Sequence, residues 1–221
     1  MQGQGAEVED LRTRVALVTG VGRRRGIGSA ICRALADRGA DVFFTYWKAY
    51  DRDAPWSTDE AEPEVLLGEL RAAGVQAEEL ELDLSLPDSP GRLLDAVIER
   101  LGPPSILVNN AAYSTRDGFE RLDARTLDAH YAVNLRAAAL LSVGFARRYP
   151  GGSGGRIINL TSGQSLGPMP EELKRELAAE SPMGRVGEPE DAARLVAFLA
   201  GDEARWITGQ IIHSEGGFLR S

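Results

Sequence analysis

The sequence has 221 residues, of which 43% are hydrophobic, with 25 Lys and Arg against 33 Asp and Glu and a formal net charge of −8 at pH 7. This apolar content excludes a disordered chain, and the acidic balance argues against nucleic acid as a partner, because binding it requires clustered basic side chains. The single cysteine, Cys32, cannot form an internal disulfide, and no Cys/His spacing indicates a metal site.

The location expected from this cysteine usage is the reducing cytoplasm. The first residues lack the basic start and apolar core of a signal peptide. No apolar stretch approaches the roughly 20 residues that a membrane span needs, so we expect no membrane partner.

Short apolar runs alternate along the chain with longer segments of 3.6-residue periodicity. The predicted strands are residues 14–19, 40–46, 75–84, 105–109, 156–160 and 209–213. The predicted helices are residues 29–38, 62–73, 89–101, 123–149, 171–179 and 188–200. Such alternation is typical of a parallel sheet covered by helices. We therefore predict an α/β fold, with one doubly wound Rossmann-type domain over residues 1–221.

The first predicted strand runs directly into residues 20–28, which read GVGRRRGIG, and then into a helix. Glycines let the backbone approach a phosphate closely, and the N–H groups and dipole of the following helix attract an anion. A tight turn before an ordinary helix is the alternative for a glycine triplet alone. Its position after the first strand of an α/β pattern favours dinucleotide binding.

The connection after the second predicted strand is long for a strand-to-helix turn. Residues 48–60 are charged and aromatic, with Trp47 and Trp56 at or near their edges. The sequence is compatible with a binding loop and with a plain surface insertion.

The glycine segment resembles the TGxxxGxG loop of the short-chain dehydrogenase/reductase family, with two extra residues in its variable part. Further family motifs follow in order through most of the chain. Those with similar residues are Leu82-Asp83-Leu84, Asn109-Asn110-Ala111-Ala112, Tyr131-Ala132-Val133-Asn134, the strand ending at Ser162, Pro182-Met183-Gly184-Arg185 and the segment 207–217.

This resemblance implies two catalytic residues. Ser162 would donate a hydrogen bond to the substrate oxygen, and Asn134 would order the active-site helix and a proton-relay water. The cofactor-binding residues expected are Gly20, Arg25, Gly26, Ile27, Gly28, Tyr46, Trp47, Asp83, Leu84, Asn110, Ala111 and Ala112.

An acidic residue near the end of the second strand would favour NAD, because it binds the ribose and repels a 2′-phosphate. Tyr46 stands there instead. Arg23, Arg24 and Arg25 place three cations in the phosphate loop of an acidic protein, and arginine suits phosphate recognition. We therefore expect NADP(H) as the preferred cofactor, with NAD(H) as the alternative if these arginines are only solvated loop charges.

The family's proton donor, the Tyr of a YxxxK motif, should follow Ser162 and is absent. The last tyrosine is Tyr149, and Arg175 and Ala179 stand where Tyr and Lys are expected. Neither residue can act as the donor. The resemblance implies that a crossover helix and its strand, a unit of roughly 30 residues or more, are missing at the 170/171 junction.

Two explanations of this missing block remain open. The block has been deleted from the chain, or the natural chain carries it and these 221 residues omit it. Omission is favoured, because losing a central strand and helix would expose the interior of the sheet and leave unpaired edges.

The expected function is NADP(H)-dependent interconversion of a carbonyl and a secondary alcohol, as in 3-oxoacyl-[acyl-carrier-protein] reductase-like members, an expectation from analogy. The resemblance implies a small carbonyl or alcohol substrate and a homodimer or homotetramer. A catalytically inactive NADP(H) sensor or scaffold of the same fold is the alternative if the block is truly deleted. A hydrolase using Ser162 and His213 is disfavoured, because the G-x-S-x-G elbow is absent.

Overall fold

Five parallel strands form the centre of the structure, a computed structural model that describes residues 11–53, 59–115, 118–161 and 170–217. The strands are β1 (Val15–Thr19), β2 (Asp41–Tyr46), β3 (Ala77–Glu81), β4 (Ile106–Asn109) and β5 (Arg156–Asn159). Their order is β3-β2-β1-β4-β5. The order reverses between β1 and β4, so the crevice of a doubly wound sheet lies at the carboxyl ends of these two strands. The predicted α/β fold class is confirmed.

Eight α-helices occur among the described residues. They are α1 (Ile27–Ala36), α2 (Lys48–Asp53), α3 (Glu62–Ala72), α4 (Ser89–Arg100), α5 (Ala124–His130), α6 (Ala138–Arg148), α7 (Glu171–Glu180) and α8 (Pro189–Ala200). The periodicity predicts all of them except α2, within a few residues at their ends. The long helix predicted over residues 123–149 changes to π-helical hydrogen bonding at Tyr131–Ala137, between α5 and α6.

The alternating side chains of β1 build the core on both faces of the sheet. Ala16 and Val18 belong to one buried cluster with residues of α1, α3 and α8. Leu17 belongs to a second cluster, which includes residues of α4 and α6. Because β1 is buried on both faces, all five of its residues are apolar or hydrogen-bonded inside, which explains its continuous apolar run.

The prediction of a strand at residues 209–213 is wrong, because these residues form no strand in the structure. Within the described ranges the sheet ends at β5, which pairs with β4 alone. A β-strand satisfies its backbone groups through a neighbouring strand, and among the described residues no strand lies beyond β5 to receive this segment. Ile157 of β5 is accordingly 40% exposed, and Ile211 is 87% exposed.

In the described part of the chain, no helix combines the length and apolar character that crossing a membrane would require.

The contrast between a central and an edge strand predicts unequal effects of two alanine substitutions. Leu107→Ala, at a fully buried position of β4, should lower the free energy of unfolding by about 2–5 kcal/mol through lost burial and a cavity. Ile157→Ala, at the partly exposed position of β5, should lower it by less than about 1.5 kcal/mol. Urea unfolding of both variants measures the difference; equal losses would mean that β5 is covered in solution.

Candidate functional site

The glycine loop and the loop after β4 meet at the carboxyl edge of the sheet. Gly20 has φ of 75°, a left-handed conformation that favours glycine. A Cβ atom at Gly20 would lie 2.5 Å from Cα of Ala111, and one at Gly28 would lie 2.8 Å from Nδ2 of Asn110. Two of the predicted cofactor-binding glycines are therefore needed for the close approach of these two loops.

Thr19, the last residue of β1, holds the glycine loop and the loop after β4 together. Its buried hydroxyl oxygen accepts hydrogen bonds from the backbone N–H groups of Asn110 (3.1 Å) and Ala111 (3.0 Å). The Asn110 side chain adds two hydrogen bonds between the same loops, because its Nδ2 donates to the carbonyl oxygens of Thr19 (2.9 Å) and Gly20 (3.0 Å). Asn110 thus holds the loop in shape, and Ala112 beside it is exposed.

The start of α1 completes the concave face of the glycine loop. Gly26 is the residue before the helix and Ile27 is its first residue, and the Ser29 hydroxyl donates to the carbonyl oxygen of Arg23 over 2.5 Å. The N-terminal N–H groups of a helix and its dipole form a site that accepts an anion. Val21 also donates its N–H to the carbonyl oxygen of Thr45, which joins the loop to β2.

The three consecutive arginines of this loop lie in different surroundings. Arg24 pairs with Glu69 of α3, and its backbone N–H donates to Glu62 over 2.6 Å. Partial burial raises the pKa of Glu69, but the hydrogen bonds from Arg33 and Arg24 together lower it by more. The pKa of Glu69 therefore lies below its usual value. The triplet is therefore divided, since Arg24 is directed toward α3.

The other two arginines differ in exposure. Arg25 is exposed and, within the described residues, forms no hydrogen bond or ion pair. It lines an open cavity of about 550 Å³ with Arg24, Arg33 and the acidic start of α8. Arg23 is partly buried; burial lowers its pKa, and the negative charge of Asp51 acts in the opposite direction.

At the end of β2, the Tyr46 side chain is turned away from solvent. It is 7% exposed, and its hydroxyl donates to Glu79 of β3 over 3.3 Å. Burial, followed by the charges of Glu79 and Glu81, raises the pKa of Tyr46 to about 12, so the phenol is neutral at physiological pH. Trp47 is partly exposed, and its carbonyl oxygen accepts the first hydrogen bonds of α2.

After β3, Asp83 and Leu84 have different environments. The Asp83 carboxylate accepts a hydrogen bond from the backbone N–H of Ser85 over 2.8 Å and is partly exposed. Leu84 is buried in the core cluster beneath α4. The chain therefore places the carboxylate of this pair toward the carboxyl edge and packs the leucine side chain inside.

Asn134 lies in the π-helical segment and contacts the loop after β4. Its Oδ1 accepts from the backbone N–H of Tyr113 over 2.7 Å, and its Nδ2 donates to the Tyr113 carbonyl oxygen over 2.9 Å. π-Helical turns inside α-helices are frequent at functional sites. This segment brings Asn134 to the same loop that Thr19 positions.

An aromatic group surrounds this contact, and the sequence motifs do not identify it. The ring of His130 packs edge-on against Tyr113 at 5.1 Å, and its Nδ1 lies 3.1 Å from Nδ2 of Asn134. Tyr50 of α2 also packs against Tyr113, with ring centroids 5.7 Å apart. The length of the connection after β2 is the only signal in the sequence that could have indicated Tyr50.

Ser162, the predicted hydrogen-bond donor to substrate, lies outside the described residues. Its strand, β5, ends beside β4, with Asn109 donating from Nδ2 to Oδ1 of Asn159 over 2.8 Å. Across the described ranges, no group of three or more His, Cys, Asp or Glu side chains is arranged to hold a metal ion.

The comparisons with known proteins agree with this geometry. The family model described as short chain dehydrogenase matches residues 14–173, and the model described as Enoyl-(Acyl carrier protein) reductase matches residues 164–219. An uncharacterized oxidoreductase, YjdA of Bacillus subtilis (strain 168), is 41% identical over 94% of this chain and 97% of its own. An NADPH-dependent aldehyde reductase-like protein of Arabidopsis thaliana is 32% identical over 95% of each chain.

A solved structure shows the same fold. The blue fluorescent protein from a metagenomic library, in complex with NADPH, has a TM-score of 0.82 and 27% identity over 96% of this chain and 100% of its own. The alignment with the Bacillus relative has 253 positions, whereas 94% of this chain is about 208 residues, so about 45 positions of that alignment have no counterpart here.

Replacing the Thr19 hydroxyl should loosen the junction between the two loops. Thr19→Val keeps the shape of the side chain but leaves the N–H groups of Asn110 and Ala111 without their acceptor, so we expect a loss of about 1–3 kcal/mol in the free energy of unfolding. Thr19→Ser keeps the hydroxyl and should cost about 1 kcal/mol or less. Chemical denaturation compares the two variants, and a serine variant as unstable as the valine variant would contradict this role.

Proposed function

Because the chain belongs to the short-chain dehydrogenase/reductase family and is thus an NAD(P)-dependent oxidoreductase, we propose that it uses NADP(H) to interconvert a carbonyl group and a secondary alcohol. The substrate class we propose is a 3-oxoacyl thioester or a similar small ketone. The observation that carries the proposal is the junction of the glycine loop with the Asn110 loop at the switch point of the sheet.

This junction suits a dinucleotide. It opens into the N-terminus of α1, which favours negative charge. The Asp51 carboxylate already lies against Gly22 in this loop. When bound, the nicotinamide dinucleotide supplies or accepts the hydride.

The residues proposed to hold the cofactor fall into three groups along the carboxyl edge. The glycine loop would face the phosphates through Gly20, Arg25, Gly26, Ile27 and Gly28. The ends of β2 and β3 would face the adenosine through Trp47 and Asp83 and through the backbone of Tyr46 and Leu84, whose side chains are buried. The loop after β4 would support the nicotinamide side through Asn110, Ala111 and Ala112.

The preference for NADP(H) is supported by the chain's own charges. β2 ends in Tyr46 and not in an acidic residue of the kind that binds the ribose of NAD and repels a 2′-phosphate. Arg25 is an exposed cation in the glycine loop. The NADPH complex of the blue fluorescent protein supports the same choice.

Asn134 and Ser162 are the residues we propose for the substrate side. Asn134 is held by the Tyr113 backbone and orders the helix, and Ser162 would orient the substrate oxygen by a hydrogen bond. No tyrosine or lysine follows Ser162 at the positions that the family resemblance requires for proton donation. General acid catalysis typically contributes about 10²–10⁴-fold, so we expect slow turnover in a chain of this sequence, with the proton drawn from water.

The missing block fits a strand and a helix next to β5 that these 221 residues omit. The edge of β5, unpartnered among the described residues, and the additional positions in the Bacillus relative both support this omission. We propose that residues 1–221 form one domain around the remaining five strands, assembling as a homodimer or homotetramer in the cytoplasm.

Arg25 should discriminate between the two cofactors. Arg25→Ala should raise the NADPH dissociation constant by about 10- to 100-fold, the loss of a charge-assisted contact, and leave that for NADH nearly unchanged. Arg24→Ala removes the same charge from the same loop, but Arg24 is paired with Glu69, so its effect should be smaller. Calorimetric titration measures both constants. Tighter binding of NADH than of NADPH to the unsubstituted protein would exclude the NADP(H) preference.

Turnover should be detectable with carbonyl substrates. Protein whose intact mass is confirmed as 23.8 kDa should oxidise NADPH slowly with 3-oxoacyl thioesters or simple ketones, monitored by the loss of NADPH absorbance. Asn134→Ala should reduce this rate further while NADPH binding persists. NADPH binding without any oxidation across the panel would refute the reductase function, and a substantially heavier native protein would restore the missing block and the faster rate.

A further inference from the structure

The short helix α2 joins the two loops that border the cofactor cleft. On one side, a Cβ atom at Gly22 would overlap the carboxylate of Asp51, with Cγ only 2.5 Å away. On the other side, the backbone N–H of Ser114 donates to the hydroxyl of Tyr50 over 3.2 Å. Since Gly22 follows β1 and Ser114 follows β4, α2 crosses the switch point of the sheet. A dinucleotide bound in the crevice of such a fold lies in the same place.

The Asp51 carboxylate brings negative charge into the loop where the proposed cofactor brings phosphate. Burial lowers the pKa of Arg23, and Asp51 is the largest influence in the opposite direction, so the carboxylate stabilises the charged guanidinium. A partly buried cation needs such a partner. In the structure this partner is a side chain of α2, and in the complex it would be a phosphate oxygen.

Tyr50 holds α2 in this position. Its hydroxyl lies 3.5 Å from the Ser114 carbonyl oxygen, in addition to accepting from the Ser114 N–H, and its ring packs on Tyr113. Burial raises the pKa of Tyr50, so the hydroxyl stays protonated at neutral pH. Tyr113 in turn holds Asn134 through two backbone hydrogen bonds. The adenosine side of the cleft is thereby connected to the active-site asparagine.

We infer that Asp51 is an internal competitor of the cofactor's phosphates, held over the glycine loop by Tyr50, and that it limits the affinity for NADP(H). This inference rests on the proposed function, because it requires that a dinucleotide binds at the glycine loop. The cofactor binds when the carboxylate leaves Gly22 and Arg23. NADPH carries one phosphate more than NADH, so Asp51 opposes NADPH more strongly and acts as a specificity-determining residue.

Two substitutions test the competition on the full chain. Asp51→Asn removes the charge and keeps the size of the side chain, so the NADPH dissociation constant should fall by about tenfold and that of NADH by a smaller factor. Tyr50→Phe keeps the ring but removes the hydrogen bond to Ser114, and it should also tighten NADPH binding, by about two- to fivefold. Asp37→Asn is the matched control, because Asp37 is exposed after the last residue of α1 and should leave both constants unchanged.

Each outcome of the titrations has a definite meaning. Weaker or unchanged NADPH binding by Asp51→Asn, with binding by the unsubstituted protein intact, overturns the competition and leaves the proposed function standing. The same tightening by Asp37→Asn would show a general charge effect and also overturn it. Failure of both the unsubstituted protein and Asp51→Asn to bind NADPH or NADH overturns the competition together with the proposed function. Binding by Asp51→Asn alone supports both.

Discussion

One buried hydroxyl, that of Thr19, joins the two loops that meet at the switch point of the sheet. β1 and β4 are parallel neighbours, and the next strand lies on one side of this pair for β1 and on the other side for β4. The Thr19 hydroxyl accepts hydrogen bonds from two successive N–H groups of the loop after β4. The Asn110 side chain can then reach back to the glycine loop. Because the loops come so close, only glycine fits at position 20, where a Cβ atom would overlap the Ala111 backbone. The glycine motif is thus a packing requirement of the fold, in addition to the binding role that we propose for it.

The parts of the fold that could be predicted from the sequence are those specified locally. β1 is buried on both faces, so its apolar run is unambiguous, and the following glycines signal a loop whose backbone must come close to another group. Helix α2 was not predicted because its six residues show no apolar periodicity. Tyr50 and Asp51 hold it in place through contacts with loops that are distant in the sequence. The sequence could also not show that Arg24 turns to Glu69, 45 residues away.

The prediction of a strand at residues 209–213 was wrong for a different reason. Their sequence, GQIIH, is typical of a buried strand, but a strand requires a partner with free backbone groups beside it. About 45 positions of the alignment with the Bacillus relative are missing from this chain, and in the part that the structure describes the sheet ends at β5. The exposure of Ile157 and Ile211 follows directly, because both carry side chains suited to an interior that this chain does not complete. Residues 209–213 thus have a sequence that favours a strand, but among the described residues no neighbouring strand is available to pair with them.

The position of Asp51 has a consequence for the free protein. A carboxylate tethered beside Arg23 has an effective concentration in the millimolar range or above, so it competes with a dissolved cofactor even where its own contact is weak. The same tether lets Arg23 remain partly buried, since the guanidinium keeps a compensating charge. An empty glycine loop would otherwise concentrate the positive potential of α1 and of Arg23 at one point. Under the competition inferred for Asp51, the chain thus satisfies its anion-binding loop internally and exchanges that anion for the cofactor, at the cost of affinity.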